Sequence, residues 1–190
     1  MRTVVFDIET QNTFADVGGY EPALLDISLV GIYESETDSY QSFLYDELEK
    51  LWPILEKTEL IVGYNSDHFD IPLLDKYYMG DLTNIRSLDL LSEIKNASGK
   101  RLKLDQIAEA TLGEKKSGHG LQAVTWWRQG KIDEIRKYCL DDVRITKEIY
   151  DYAKRHGEVK YILAGEVLTI KLDTSHWDTP SQNAMTQSLL

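Results

Sequence analysis

The apolar positions of this chain change period part-way along it. Residues 3–9, Thr-Val-Val-Phe-Asp-Ile-Glu, form a short β-branched run whose far end turns acidic, the pattern of a buried strand with polar residues at its carboxyl end. Residues 26–33 (DISLVGIY), 39–45 (SYQSFLY) and 59–64 (ELIVGY) read as further strands, and 85–90 (IRSLDL) as a last short one. Residues 46–57 carry Leu48, Leu51, Trp52 and Leu55 at helical spacing, with Pro53 placed to disturb or break that helix. The pattern turns helical after Asn65, where Ser66 or Asp67 is a candidate cap and Pro72 falls in the first turn. Three more helical stretches follow, 102–112, 119–129 and 132–156, the last closed by Gly157 behind Lys154, Arg155 and His156. Residues 158–172 read as a terminal hairpin. Five strands interleaved with helices predict an α/β fold, a mixed five-stranded sheet flanked by helices, with a C-terminal hairpin.

Length and breaks refine this picture. A chain of 190 residues fits one domain. The expected division is a main unit over 1–157, with the hairpin and polar tail of 158–190 belonging to the same domain or partly disordered. Residues 113–120 (GEKKSGHG) form a glycine- and lysine-rich connector, and 173–190 lack any Lys or Arg. The one cysteine, Cys139, excludes an internal disulfide and a cysteine-clamped zinc, which fits a reducing compartment. The N-terminal MRTVVFDIET turns acidic too early for a signal peptide, and no apolar run approaches the roughly 20 residues of a membrane span. A soluble cytoplasmic protein with no membrane partner is the expectation.

The net charge of −11 argues by itself against a nucleic-acid partner. Its distribution changes that picture. Residues 1–85 hold 4 basic and 17 acidic side chains, whereas residues 86–131 hold 9 basic and 5 acidic. An acidic half that gathers cations beside a basic rim that meets phosphates would look like this, and so would an acidic surface with no ligand.

Three motifs carry chemistry. Asp7 and Glu9 stand two apart on a strand, so both point to one face, where a buried carboxylate pair is costly unless a cation neutralises it. Hard oxygen donors of this kind favour Mg²⁺ or Mn²⁺; the alternative is a strand that simply ends at Asp7 in solvent. The second motif, Asn65-Ser-Asp-His-Phe69-Asp70, follows directly on a strand, the end at which α/β sheets build their sites. Asn65 offers a donor and an acceptor, and Phe69 a face for a base or a piece of core. In the third, Tyr138 and Asp142 stand four apart and share a helical face, while Asp141 points elsewhere.

Taken in order, strand D-x-E, strand-N-x-x-x-F-D and helix Y-x-x-x-D, the set resembles the tyrosine branch of the DEDD exonuclease superfamily, which has the ribonuclease-H-like fold. The segment GYNSDHFDIPLL is most similar to the proofreading domains of family-B DNA polymerases. The resemblance runs from about Arg2 to Tyr152 and includes LDQIAEATLG at residues 104–113. The histidine branch would place His where Lys137 stands.

The resemblance implies a metal-dependent 3′→5′ exonuclease using two divalent cations, Mg²⁺ or Mn²⁺, and 190 residues have no room for a polymerase module, so a free-standing enzyme or a subunit acting with partners is expected. Asp7, Glu9 and Asp142 would hold the first, Asp7 would bridge to the second with Asp70 in support, and Tyr138 would orient the attacking water. Asn65 and Phe69 would hold the 3′-terminal nucleotides, with the backbone at Ile8 or Thr10 near the terminal sugar. Lys115 and Lys116 are candidates for phosphate contact, with Lys100, Arg101 and Lys103 a weaker patch. The partner is a nucleic-acid 3′ end, single strand favoured, alongside a protein partner in repair or replication. An exoribonuclease, a non-catalytic nucleic-acid-binding module on the same fold, and a chance match stand as the other readings. Trp126 and Trp127 are read as core before stacking platforms, and His68 as an exposed loop residue.

Overall fold

The computed structural model describes residues 1–114 and 121–179. Five strands form one sheet: β1 (Thr3–Thr10), β2 (Ile27–Glu34), β3 (Ser39–Leu44), β4 (Leu60–Gly63) and β5 (Arg86–Asp89). Their spatial order is β3-β2-β1-β4-β5. β2 runs antiparallel to β1 and β3, while β4 and β5 run parallel to β1. The sheet is therefore mixed, as the interleaved pattern predicts, and each strand lies within a residue or two of its expected bounds.

Alternation along β1 sends Val4, Phe6 and Ile8 into an apolar cluster with Val30, Ile32, Phe43, Leu51 and Leu73 on one face of the sheet. Val5, from the other parity, joins a second cluster with Val62, Leu88, Val143, Ile149 and Trp177. The first face is covered by 3₁₀ turns at Pro22–Leu24 and Tyr45–Lys50, and by the short helices α1 (Phe14–Val17), α2 (Trp52–Leu55) and α3 (Asp70–Asp75). The second is covered by α4 (Leu90–Ser98), α5 (Leu104–Leu112) and a 25-residue helix, α7 (Ile132–His156), with α6 (Leu121–Arg128) beside it. Among the described residues no helix is long and apolar enough to cross a membrane.

The buried stripe of α7 reads Ile135, Tyr138, Cys139, Asp142, Val143, Thr146, Ile149, Tyr150 and Ala153, a helical period that carries a carboxylate and two phenols into the interior. Its approach to the sheet is close. A Cβ built on Gly31 of β2 would lie 2.8 Å from Cys139 Sγ. Gly31 pairs with Asp7, so the absent side chain lets α7 settle over the acidic part of β1. Gly157 ends α7 with φ +65°, as expected of a C-terminal glycine.

Several expectations are corrected. The helix over 46–57 is split, because Pro53 occupies the first turn of α2 and cannot continue the 3₁₀ turn before it. Neither Ser66 nor Asp67 caps α3; its N-cap is Phe69, and the backbone oxygens of Asn65 and Ser66 take the first amides. The strand read over 85–90 stops at Asp89, whose carboxylate accepts from the Leu91 and Ser92 amides and starts the unforeseen α4. The short α1, capped by Thr13, was also unforeseen.

The hairpin forms as β6 (Glu158–Leu163) and β7 (Glu166–Lys171), reversing at Ala164 and Gly165, both with positive φ. Thr111 of α5 exchanges hydrogen bonds with the Lys160 backbone and ties the hairpin to the helical layer. Residues 173–179 of the polar tail lie against the helical layer. Trp177 is fully buried, stacks on Tyr150 with centroids 5.6 Å apart, and donates Nε1–H to Glu93. Residues 180–190 and the connector residues 115–120 lie outside the described residues.

Trp177→Ala should therefore destabilise the fold by about 3–5 kcal/mol, the cost of emptying a buried aromatic site. Urea unfolding reads this directly, and a change under about 0.5 kcal/mol would show that the tail is not part of the core.

Candidate active site

Two residues on the α7 face of β1 break its apolar run. Val5 packs in the core, and Asp7 and Glu9, next on the same side, are carboxylates. Asp142 comes down from α7 onto them. One carboxylate oxygen from each of Asp7, Glu9 and Asp142 lies within 4.8 Å of the others. Glu9 and Asp142 are buried and Asp7 half-buried, so water does little to separate their charges. The Cys139 thiol registers the result. It donates to the Asp7 carbonyl at 3.3 Å, and burial, reinforced by the charges of Asp7, Glu9 and Asp142, pushes its pKa well up.

Asp70 reaches the same place from the other side of β1. The parallel ladder between β1 and β4 pairs Val5 with Val62 and extends no further along β1. Past it, the Ile8 amide donates to Asp70 Oδ1 at 3.1 Å. The chain turns sharply to achieve this: a Cβ on Gly63 would sit 2.4 Å from Ser66 Cβ, and Asn65 takes φ +68°. Burial pushes the Asp70 carboxyl up to about 7, with the Asp89 charge adding to it and the Ile8 amide opposing it.

These groups line a cleft of about 420 Å³ together with Tyr138, Asn65, Ile8 and Thr10. Phe69 is half-buried, packs against the core and also lines the cleft. Its ring meets Phe14 edge-on at 6.2 Å, and Phe14 in turn meets the exposed Tyr20. Phe14 was missed in the sequence, as were Asn12, Thr13, Tyr64, Leu25, Leu121 and Val124, all on the cleft wall. Only the helix cap Thr13 with Asp16 had a readable signal. The Ile8 amide donates to Asp70, so the backbone of β1 at the cleft wall is tied to the start of α3. The Thr10 hydroxyl donates to the Asn12 carbonyl at 2.8 Å.

Among the described residues, the other residues singled out in the sequence do not line the cleft. Lys115 and Lys116 lie outside the described residues. Asp141 turns away and pairs with Arg144 at 2.8 Å. Trp126 packs its ring against Tyr138 at 5.9 Å and Trp127 against Tyr45, both half-buried, while His68 is exposed.

The donor set suits a hard divalent cation. Its members are carboxylate oxygens from two elements, β1 and α7, without a histidine or thiolate ligand among them. Three clustered carboxylates repel one another by several kcal/mol at low dielectric, and a cation converts that repulsion into binding.

Asp70 gives a separable test. Its folded pKa of about 7 lies above the ordinary 3.8, so the fold favours the protonated form. That contribution is fully present below about pH 4 and is lost as pH rises towards 7. Asp70→Asn keeps the acceptor for the Ile8 amide and cannot ionise. In metal-free protein the variant's stability advantage should grow from pH 4 and reach about 2–4 kcal/mol at pH 8. A difference in urea midpoint that stays constant with pH would contradict this.

Comparison with known proteins agrees with the geometry. A family model described as RNase_H_2, RNase_H superfamily, matches residues 4–154, which span all five strands of the sheet and nearly all of α7. A search of curated proteins found no match. The superfamily consists mostly of nucleases, hydrolases of nucleic acid that use divalent metals, and the buried acidic cluster is able to hold one. With its mixed sheet in the order β3-β2-β1-β4-β5 and its acidic residues on the central strand and the long helix, this chain belongs to the RNase H superfamily.

Proposed function

We propose that the chain is a metal-dependent 3′→5′ exonuclease of the tyrosine branch of the DEDD superfamily. It removes nucleoside monophosphates from a single-stranded 3′ end, with DNA favoured over RNA. One observation carries the reading. Four carboxylates and a tyrosine from three separated segments, Asp7 with Glu9, Asp70, and Tyr138 with Asp142, converge on one cleft. A structural role alone would not gather like charges in a poorly solvated place.

The roles are those the family resemblance implies, and the positions of the residues support them. Asp7, Glu9 and Asp142 would hold one divalent cation, and Asp70, across β1 from them, would support a second through Asp7. When bound, such cations supply Lewis acidity to the phosphate and to the oxygens that attack and leave it. Tyr138 holds the attacking water in line with the scissile phosphorus. The new P–O bond forms from that water as the bond to the 3′ oxygen of the preceding nucleotide breaks, releasing a 5′-monophosphate and a strand one residue shorter. Phe14 and Phe69 give the terminal base an aromatic surface, which is tolerant of sequence because every base has a π-face. Four negative side chains against two divalent cations leave the site near neutral, and this is how a protein of net charge −11 can accept a polyanion.

The test is cleavage of a 5′-labelled single-stranded DNA, and of its RNA counterpart, with Mn²⁺, Mg²⁺ or EDTA. Products should form a ladder shortening from the 3′ end only with metal, faster on DNA. Asp7→Ala and Asp142→Ala should each lower the rate by at least ~10²-fold with the fold intact, and Tyr138→Phe by ~10–10²-fold. Wild-type rates in either alanine variant would rule out the assignment. Strand binding without cleavage in any metal would favour a non-catalytic module.

A further inference from the structure

The end of β4 is fastened to the loop between α4 and α5 by two side-chain bonds. Tyr64 Oη donates to the Leu102 carbonyl at 2.8 Å, and Arg101 Nη2 donates to Asn65 Oδ1 at 2.8 Å. The backbone of Asn65 is held separately, its amide donating to the buried Asp89 carboxylate at 2.7 Å. Asn65 is thus fixed in its left-handed conformation on the cleft wall whatever its side chain does.

The guanidinium settles which way that side chain faces. Arginine has five N–H donors and no acceptor, so only the amide oxygen can turn towards it. The NH₂ group of Asn65 is then the part of the amide turned away from Arg101, on a residue that lines the cleft. A phosphate oxygen is an acceptor only, and it matches this orientation and is repelled by the flipped one. Resting on the exonuclease reading, we infer that Arg101 is a positioning residue for the substrate strand. It locks the Asn65 amide as a donor to a backbone phosphate oxygen of the 3′-terminal dinucleotide. It also stands in the basic sequence Lys100-Arg101-Leu102-Lys103, one of the cationic segments of an acidic chain.

The role acts on binding of the strand and not on the bond being broken. Arg101→Met should therefore raise KM about tenfold, the scale of one charge-assisted hydrogen bond, and leave kcat within about threefold. Asn65→Ala should do the same. The double variant should be no worse than Asn65→Ala alone, because Arg101 has nothing to orient once the amide is gone. Arg101→Lys should recover part of the loss, since one ammonium can still face the amide oxygen. Arg101 is exposed, so the melting temperature should hardly move.

The variants are measured both by cleavage of a fluorescein-labelled thymidine oligonucleotide with Mn²⁺ and by anisotropy of the same strand with Ca²⁺. An unchanged KM and Kd in Arg101→Met would overturn the inference, and so would an equal penalty for it in the Asn65→Ala background. A wild-type chain that binds the strand without cutting it would remove the exonuclease reading and leave the Arg101 test to anisotropy. One that neither binds nor cuts would remove both.

Discussion

The close approach of α7 to the β1–β2 pair is the constraint on which the rest of the structure depends. Gly31 opens the space, Cys139 fills it, and the thiol bonds to the carbonyl of Asp7. One turn along the same buried stripe, Asp142 meets the acidic end of β1. A side chain at position 31 would lift the helix and spread the carboxylates. The acidic cluster is thus a consequence of helix-to-sheet packing, and its strain is tolerable because the apolar contacts of α7 with Val5, Val62 and Leu88 hold the helix in place.

Much of this was legible in the sequence. The period of α7 fixes its bounds and puts Tyr138 and Asp142 on one stripe, and alternation in β1 puts Asp7 beside Glu9. That this shared face is the core-facing one is shown by the structure, where the buried stripe runs through Cys139, Asp142 and Val143. Asp70 was legible as a residue just past a strand end. Its bond to the Ile8 amide was not, because it depends on how far the β1–β4 ladder runs, a tertiary quantity.

The failures also have physical reasons. In Ser87-Leu-Asp-Leu-Leu91 an apolar alternation reads as strand, yet the Asp89 side chain caps a helix within it and also takes the Asn65 amide. Trp177 sits in a polar tail whose composition outweighs one aromatic side chain, although that side chain is fully buried. Phe14 reaches the cleft through a capped turn after the first motif, and spacing along a strand says nothing about it. The charge asymmetry has a partial counterpart: from the basic middle segment, Arg101 reaches Asn65 on the cleft wall and Arg128 pairs with Asp16 of α1.

The central claim is that the carboxylates over β1 form a cation site, and Mn²⁺ titration followed by electron paramagnetic resonance tests it most directly. The wild-type chain should bind Mn²⁺, and Asp142→Asn should weaken that binding at least about tenfold with the circular dichroism spectrum unchanged, since a neutral amide is a poorer ligand than a carboxylate. Equal Mn²⁺ affinity in the two proteins would mean that the acidic cluster does not hold the metal, and the account built on it would fail.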